Sequence, residues 1–288
     1  MDIVFRYDPT LPLRDNSPRT SEEAFERLAR GNQRFAEIVS GLQQATHESK
    51  TGGEIVFPVD LLSLGVPFVE GHMPEHNPYA IVLSCSDARA PVEQVFHCVA
   101  NDLFTVRVAG NVLGLECLGS VDYAVAKLGE SLRTAIVLGH TGCGAVTAAV
   151  DMYLAPNGFM NVAFSHAVRS LVDRIMLAVR AASRALDEVR GSSDHDLPGY
   201  RDQLLAISVF VNAAVTAFDL NREIRSQGNE QIAVAYSVYD VAMCRASAMP
   251  YDPRNLEGSV FLPAPTDSDA LYELSLGLAK RILAGSPK

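Results

Sequence analysis

Short apolar runs alternate with amphipathic segments after residue 78, and this order restricts the fold more than any other feature of the sequence. Residues 79–84, 103–108 and 134–138 are apolar enough to be buried strands of a parallel sheet. Residues 114–128 and 144–154 place apolar side chains at helical spacing. Strand, helix, strand and helix in this order predict a parallel sheet with crossover helices.

The same kind of pattern continues toward the end of the chain. We predict long helices over 160–190 and 201–226, a fourth strand over 231–240 and a last helix over 267–284. No Pro-, Ser- or Gly-rich linker interrupts the middle of the sequence. We therefore expect a single α/β domain with a mainly parallel central sheet flanked by helices.

The first part of the chain differs in composition. Residues 1–19 are polar and rich in Pro and Arg, which predicts an irregular N-terminal arm ahead of one domain at 20–288. Thr20 and Glu23 form a capping-box pattern, so we expect this domain to begin with a helical arm. Residues 41–78 hold many Gly, Pro, His and polar positions, and we expect them to be mostly loop.

Charge and hydropathy argue against two classes of partner. The 288 residues carry a formal net charge of -10, and they contain no Lys/Arg cluster that would favour nucleic acid or an anionic membrane. The longest apolar runs are shorter than about ten residues, against the roughly 20 of a membrane span. The first residues lack the basic start and apolar core of a secretory signal, so we expect a cytoplasmic protein. Five scattered cysteines favour reduced thiols over a disulfide framework.

Two short motifs contain the residue types of a metal site. Cys85 lies in Ser-Cys-Ser-Asp-Ala-Arg, and His140 and Cys143 lie in Gly-His-Thr-Gly-Cys-Gly. Each motif begins where a strand is predicted to end, and neighbouring strands lie about 4.8 Å apart. The carboxyl ends of parallel strands are also where open α/β sheets place ligand sites. We therefore expect these three side chains to converge on one metal ion.

The donor set indicates which metal these residues would bind. Two thiolates and one imidazole are typical of zinc, whereas calcium and magnesium prefer oxygen. Three protein ligands leave a fourth position open, as in catalytic zinc sites, where the pKa of coordinated water falls to about 7. Asp87 could fill that position and make the zinc purely structural. It could instead pair with Arg89, whose planar fork suits a carboxylate, and stay ionised.

The two motifs together resemble those of the β-class carbonic anhydrases. The zinc motifs of that family read Cys-x-Asp-x-Arg and His-x-x-Cys, and both are present at roughly the expected distance from each other. The resemblance extends to the segments 28–35, 101–111 and 119–124. It covers residues 22–155 well and residues 203–241 loosely.

The resemblance implies a zinc enzyme that interconverts carbon dioxide and bicarbonate. It makes Cys85, His140 and Cys143 the zinc ligands and makes Asp87 and Arg89 the catalytic dyad, in which the carboxylate orients the nucleophile. In some members of the family the corresponding Asp binds zinc in an inactive state. The family also implies a homodimer or a higher homo-oligomer, with the active site at the subunit interface.

Departures from the family pattern keep alternatives open. His76 stands where many members have a Gln that positions substrate, and Arg107 stands where some members bind bicarbonate away from the catalytic centre. Both are candidate substrate or effector contacts. Because imidazole titrates near neutrality and the segment after Cys143 is long, hydrolysis of carbon disulfide or carbonyl sulfide at the same site is one alternative. A non-catalytic bicarbonate-binding protein, with its zinc closed by Asp87, is the other.

Overall fold

The computed structural model describes residues 2–7, 17–47, 54–59, 71, 73, 75–158, 165–250 and 259–285. Its helices are α1 (Ser21–His47), α2 (Val92–Val95), α3 (Leu115–Leu128), α4 (Gly144–Leu154), α5 (His166–Arg190), α6 (Tyr200–Ser226) and α7 (Ser268–Gly285). Its strands are β1 (Asp2–Tyr7), β2 (Glu54–Val59), β3 (Ala80–Ser84), β4 (Leu103–Arg107), β5 (Thr134–His140), β6 (Ala233–Asp240), β7 (Arg245–Ser247) and β8 (Leu262–Pro263).

A six-stranded sheet organises the domain. Its order is β4-β3-β5-β6-β7, and β8 pairs with β6 beside this path. The first four strands run parallel, whereas β7 and β8 are antiparallel to β6. Every residue of β3 and of β5 is buried, as expected of strands whose two faces are both covered. The prediction of an α/β fold with a mainly parallel central sheet is confirmed.

Helices cover both faces of this sheet because successive side chains of a strand point to opposite sides. Ile81 and Leu83 of β3 belong to the larger apolar core, which they share with α3 to α7. Ala80 and Val82 of the same strand belong to a second core, which they share with α1 and α2. The sheet is therefore the middle layer of three.

The central helix of the larger layer is α6. It packs on β5 and β6 and against α4, α5 and α7. Its length and mean hydropathy, 1.6 in the most apolar window, match those of a membrane span, and 72% of that window is buried. We expected no segment to be long and apolar enough to span a membrane, and by length and hydropathy this expectation is wrong for α6. Polar residues such as Ser208, Asn212 and Thr216 interrupt the apolar run, but they are buried too.

The structure differs from the sequence-based expectation before residue 60. Strand β1 pairs in parallel with β2, from Asp2↔Glu54 to Tyr7↔Val59, whereas residues 1–19 were expected to be irregular and residues 41–78 mostly loop. Each strand is only six residues long and lies among polar or Pro-rich residues. The composition of the longer segment around it therefore does not indicate a strand. The boundary between residues 19 and 20 stays a prediction.

Helix α5 begins later than the predicted range of 160–190. Its first residue is His166, and the hydroxyl of Ser165 caps it by accepting a hydrogen bond from the Val168 backbone N–H at 3.2 Å. Residues 159–164 lie outside the described residues. The predicted helices over 144–154 and 201–226 and the strand over 231–240 agree with α4, α6 and β6 within about two residues.

Candidate zinc site

The two predicted motifs meet where β3 and β5 end side by side. These strands are neighbours, with Ser84 opposite Leu138. Cys85 directly follows β3, His140 is the last residue of β5, and Cys143 is the N-cap of α4. The strand that follows β3 in the sequence, β4, lies on one side of it, and the next strand, β5, lies on its other side. The gap between β3 and β5 is therefore the switch point at which sheets of this kind bind ligands.

The ligand atoms of Cys85, His140 and Cys143 form one tight cluster. All lie within 4.8 Å of one another. The three residues are 5%, 1% and 1% exposed, respectively. Within the part of the chain that the structure describes, they are the one group of three or more His, Cys, Asp or Glu side chains arranged to hold a metal ion.

The imidazole of His140 shows that this cluster fits a metal. Its Nδ1 lies 3.0 Å from the carbonyl oxygen of Thr141, which can only accept, so we assign the proton to Nδ1. Its Nε2 is buried and has no hydrogen-bond partner among the described residues. A buried nitrogen left unpaired costs about 1–3 kcal/mol, and a metal ion would satisfy it. Together with two sulfurs, this nitrogen forms a donor set suited to zinc.

Of the two buried cysteines in the cluster, Cys85 is the one favoured as a thiolate. The adjacent Cys143 thiol, and after it the nearby His140 imidazole, hold the pKa of Cys85 well below its usual range. The same contact with Cys85, together with burial, raises the pKa of Cys143. Burial lowers the pKa of His140, but the attraction of the neighbouring Cys85 sulfur outweighs this effect and the pKa is raised. A pocket that stabilises a buried thiolate is prepared for a cation.

Asp87 and Arg89 form an ion pair beside the cluster. Arg89 donates from Nε to Asp87 Oδ1 at 3.0 Å and from Nη2 to Oδ2 at 2.7 Å. These hydrogen bonds hold the pKa of the Asp87 carboxyl well below its usual range. Asp87 Oδ2 lies 3.8 Å from His140 Nε2. Arg89 Nη2 also donates to the Gly142 carbonyl at 3.3 Å and so connects the two motifs.

The structure places the two candidate effector residues outside the cluster. Arg107 donates to three backbone carbonyls, those of Cys85, Asp87 and Ala90, at 2.9, 2.7 and 3.3 Å. It therefore fixes the loop that follows β3. The ring of His76 is exposed and stacks on Phe104 of the edge strand β4, with 6.1 Å between centroids. The effector and substrate roles of both residues stay predictions.

Sequence reasoning does not single out Gly110, although this residue contacts Cys85, a predicted zinc ligand. Its backbone N–H donates to Cys85 Sγ at 3.4 Å. It lies in the short 3₁₀ turn Ala109–Asn111 and has a φ of 72°. The available signal is a Gly-Asn pair directly after a strand, because both residues tolerate left-handed backbone angles.

Comparison with known proteins identifies the family. A family model described as carbonic anhydrase matches residues 80–243, more than half of the chain. The chain belongs to the β-class carbonic anhydrases. The resemblance of the two motifs to this family is thereby confirmed, and so is the prediction of zinc as the cofactor, since β-class carbonic anhydrases use zinc.

Two curated relatives come from mycobacteria. The carbonic anhydrase of Mycolicibacterium smegmatis is 39% identical over 119 residues, which are 39% of this chain and 53% of that protein. Carbonic anhydrase 2 of Mycobacterium tuberculosis is 32% identical over 164 residues, which are 56% of this chain and 65% of that protein. The chain thus spans between about half and two thirds of the length of these two relatives.

Solved structures show more distant similarity. The Coccomyxa β-carbonic anhydrase in complex with acetazolamide has a TM-score of 0.48 and 17% identity, covering 74% of this chain and 86% of that chain. A carbon disulfide hydrolase has a TM-score of 0.34 and 18% identity, covering 59% of this chain and 78% of that chain.

Proposed function

We propose that this protein catalyses the reversible hydration of carbon dioxide to bicarbonate and a proton, with zinc held by Cys85, His140 and Cys143. The observation that carries the proposal is the buried, unpaired Nε2 of His140 within 4.8 Å of two cysteine sulfurs. Membership of the carbonic anhydrase family supports the same reaction. When bound, zinc supplies a nucleophile near neutral pH by lowering the pKa of coordinated water.

Asp87 and Arg89 are the proposed catalytic pair. Because Asp87 Oδ2 is 3.8 Å from His140 Nε2, the carboxylate lies beside the place that the metal would take. Because Arg89 keeps it ionised, the Asp87 carboxylate can accept a hydrogen bond from a water molecule at that place. This hydrogen bond would turn a lone pair of the water oxygen toward the carbon of the substrate. Both Asp87 oxygens are bonded to Arg89. This pairing supports the catalytic interpretation over a zinc closed by Asp87.

The surface next to the site supports a homo-oligomer. Helix α3 exposes two large apolar side chains, Leu115 at 78% and Tyr123 at 54%. The ring of Tyr123 lies 6.5 Å from that of Phe104 on the edge strand β4. Apolar side chains grouped at an unpaired sheet edge are typical of an interaction surface. Since β4 ends at Arg107, which holds the Cys85 loop, a subunit bound here would lie close to the zinc site.

The decisive test combines metal analysis with a stopped-flow assay of carbon dioxide hydration. We expect about one zinc per chain and rapid proton release. His140→Ala should lose both zinc and activity, because the cluster then has only two ligands. His195→Ala is the matched control, since His195 is a partly exposed histidine in the loop before α6, and it should keep both.

Three outcomes would contradict the proposal. If zinc-free protein kept full turnover, the reaction would not depend on a metal ion bound by the cluster. Bound zinc without hydration, even above about pH 8, would indicate the non-catalytic bicarbonate-binding protein, because water on zinc ionises near pH 7. Turnover of carbon disulfide or carbonyl sulfide alone, assayed in parallel, would indicate the other alternative.

A further inference from the structure

We infer that Asn212 of α6 is a positioning residue for the zinc site and that it acts through Gly110, whose N–H contacts the sulfur of Cys85. Asn212 belongs to neither sequence motif. It lies in the part of the chain where the resemblance to the family is loose. The inference rests on the proposed zinc ligands and not on the reaction that they support.

The link consists of two hydrogen bonds to one residue. Asn212 Nδ2 donates to the Gly110 carbonyl at 2.9 Å, and this contact joins residues 102 positions apart in the sequence. The N–H of Gly110 donates to Cys85 Sγ at 3.4 Å. Asn212 is 2% exposed, so water has little access to replace its amide. The core helix α6 therefore reaches a metal ligand through a single intervening residue.

The turn that contains Gly110 needs this support because it has an uncommon, left-handed backbone conformation at two successive residues. Gly110 has a φ of 72°, and Asn111 follows with a φ of 46°. A non-glycine residue in the left-handed region costs on the order of 1 kcal/mol and persists only where its surroundings hold it. The turn also begins under restraint, because the Val108 N–H donates to the Ser84 carbonyl at 3.0 Å.

Packing closes the other sides of the turn. A Cβ added to Gly110 would lie 2.8 Å from Ile175 Cδ1 on α5 and 3.0 Å from Ala145 Cβ on α4. These contacts are apolar, so they limit how far Gly110 can move but do not orient its peptide groups. Asn212 supplies the directional contact, because a hydrogen bond fixes the carbonyl to which it is donated.

A hydrogen bond to a metal-bound sulfur changes how that sulfur holds the metal. It stabilises negative charge on the thiolate and fixes the direction of its lone pairs. Without the amide of Asn212, the Gly110 carbonyl is left buried and unpaired, and the turn can rotate its N–H away from Cys85. Loss of such outer contacts typically reduces metal affinity by about 10-fold to 100-fold.

The test compares Asn212→Leu with the wild-type protein in two measurements. The first is the rate of zinc loss to a chelator, which we expect to rise by about 10-fold. The second is the absorption of the cobalt(II)-substituted protein. Its sulfur-to-cobalt charge-transfer band should move to lower energy, because a thiolate without its hydrogen bond gives up an electron more easily.

Two variants control for general loss of stability. Asn32 is also buried, at 3% exposure, but lies on α1 and bridges the Val95 carbonyl and the Ala246 N–H at 2.9 and 2.8 Å. Asn32→Leu should lower the unfolding midpoint and leave the zinc-loss rate and the cobalt band unchanged. Ser208→Ala lies on α6 one turn before Asn212, and its hydroxyl has no partner in the described part of the chain. It should change neither measurement.

The inference is overturned if Asn212→Leu loses stability as Asn32→Leu does but keeps the wild-type zinc-loss rate and cobalt band. If Asn212→Leu does not fold, Asn212→Ala removes the donor without placing a larger apolar side chain against the turn. The wild-type protein loaded with NMR-active cadmium gives an independent test. A scalar coupling between the metal and the Gly110 amide proton is expected, and its absence overturns the N–H to sulfur contact. Failure of the carbon dioxide assay would alter none of these measurements.

Discussion

Asp87 is held by two parallel hydrogen bonds that only a planar, forked cation can supply. Arg89→Lys keeps the positive charge but can donate to the carboxylate from one nitrogen only. We expect kcat/KM for carbon dioxide to fall by about 10-fold to 100-fold. Zinc content should stay at the wild-type level, because Arg89 is not a predicted ligand. Stopped-flow kinetics and metal analysis of the same sample measure both quantities.

The chain offers a matched control for this substitution. Arg201 on α6 pairs with Asp151 on α4 at 2.7 Å, and neither residue belongs to the predicted site. Arg201→Lys should leave kcat/KM within about twofold of the wild type, because exposed ion pairs contribute little. Equal rates for Arg89→Lys and the wild type would instead indicate that the Asp87 pair serves the fold alone.

Individual site residues differ in how far the sequence could predict them. The convergence of Cys85, His140 and Cys143 was predictable because chemically distinctive side chains stand at or just after strand ends. Gly110 and Asn212 were not, because their contributions depend on a backbone N–H and on a side-chain amide whose partners lie 25 and 102 residues away. Amides occur throughout any sequence, so only the fold shows which of them reaches a predicted zinc ligand.

The contact between α1 and α2 depends on a glycine. A Cβ added to Gly31 of α1 would lie 1.8 Å from the backbone oxygen of Phe96, the C-cap residue of α2. Because a backbone oxygen cannot move aside as a side chain can, Gly31→Ala should force α1 away from the sheet. We expect the free energy of unfolding to fall by at least about 1–3 kcal/mol, measured by denaturant titration.

The same helix contains the control. Gly41 has no atom within 4 Å of an added Cβ and lies in the exposed later part of α1. Gly41→Ala should stabilise the protein by up to about 1 kcal/mol, because alanine favours a helix over glycine. If Gly31→Ala were as well tolerated as Gly41→Ala, the close approach of α1 to Phe96 would be wrong.

Helices and strands could be predicted where their pattern is long or strongly apolar. Strands β3 to β6 and helices α3, α4 and α6 were found within a few residues of their positions, because burial on both sides gives unbroken apolar runs and helical burial gives regular spacing. The pair β1 and β2 was missed because six residues in polar surroundings give too weak a signal. The paired residues of β1 and β2 also lie 52 positions apart in the sequence, so a pattern within a short segment cannot predict their pairing.

The whole protein is expected to associate through the surface that contains Leu115, Tyr123 and Phe104. Leu115→Glu places a charge on this surface and should shift the protein toward monomers, because burying an unpaired charge is costly. Analytical ultracentrifugation measures the shift. Carbon dioxide hydration should fall with it, since β4 connects this surface to the Cys85 loop through Arg107.

Leu177 provides the comparison for that experiment. It is 59% exposed on α5, so it is as accessible as the tested residues but belongs to another element. Leu177→Glu should leave the sedimentation coefficient unchanged. Dissociation by Leu177→Glu and not by Leu115→Glu would place the subunit contact on the α5 side and contradict the proposed interface.

The burial of α6 has a consequence for how the protein is made. Cellular machinery that inserts nascent chains into lipid selects segments by hydropathy, and α6 meets that criterion on its own. Its protection comes from neighbours on both sides in the sequence, since β5 precedes it and β6 and α7 follow it. A chain truncated after residue 226 would leave this helix without β6 and α7. Such a fragment should be recovered with membranes or aggregates, whereas a fragment that ends before residue 200 contains no such helix among its described residues.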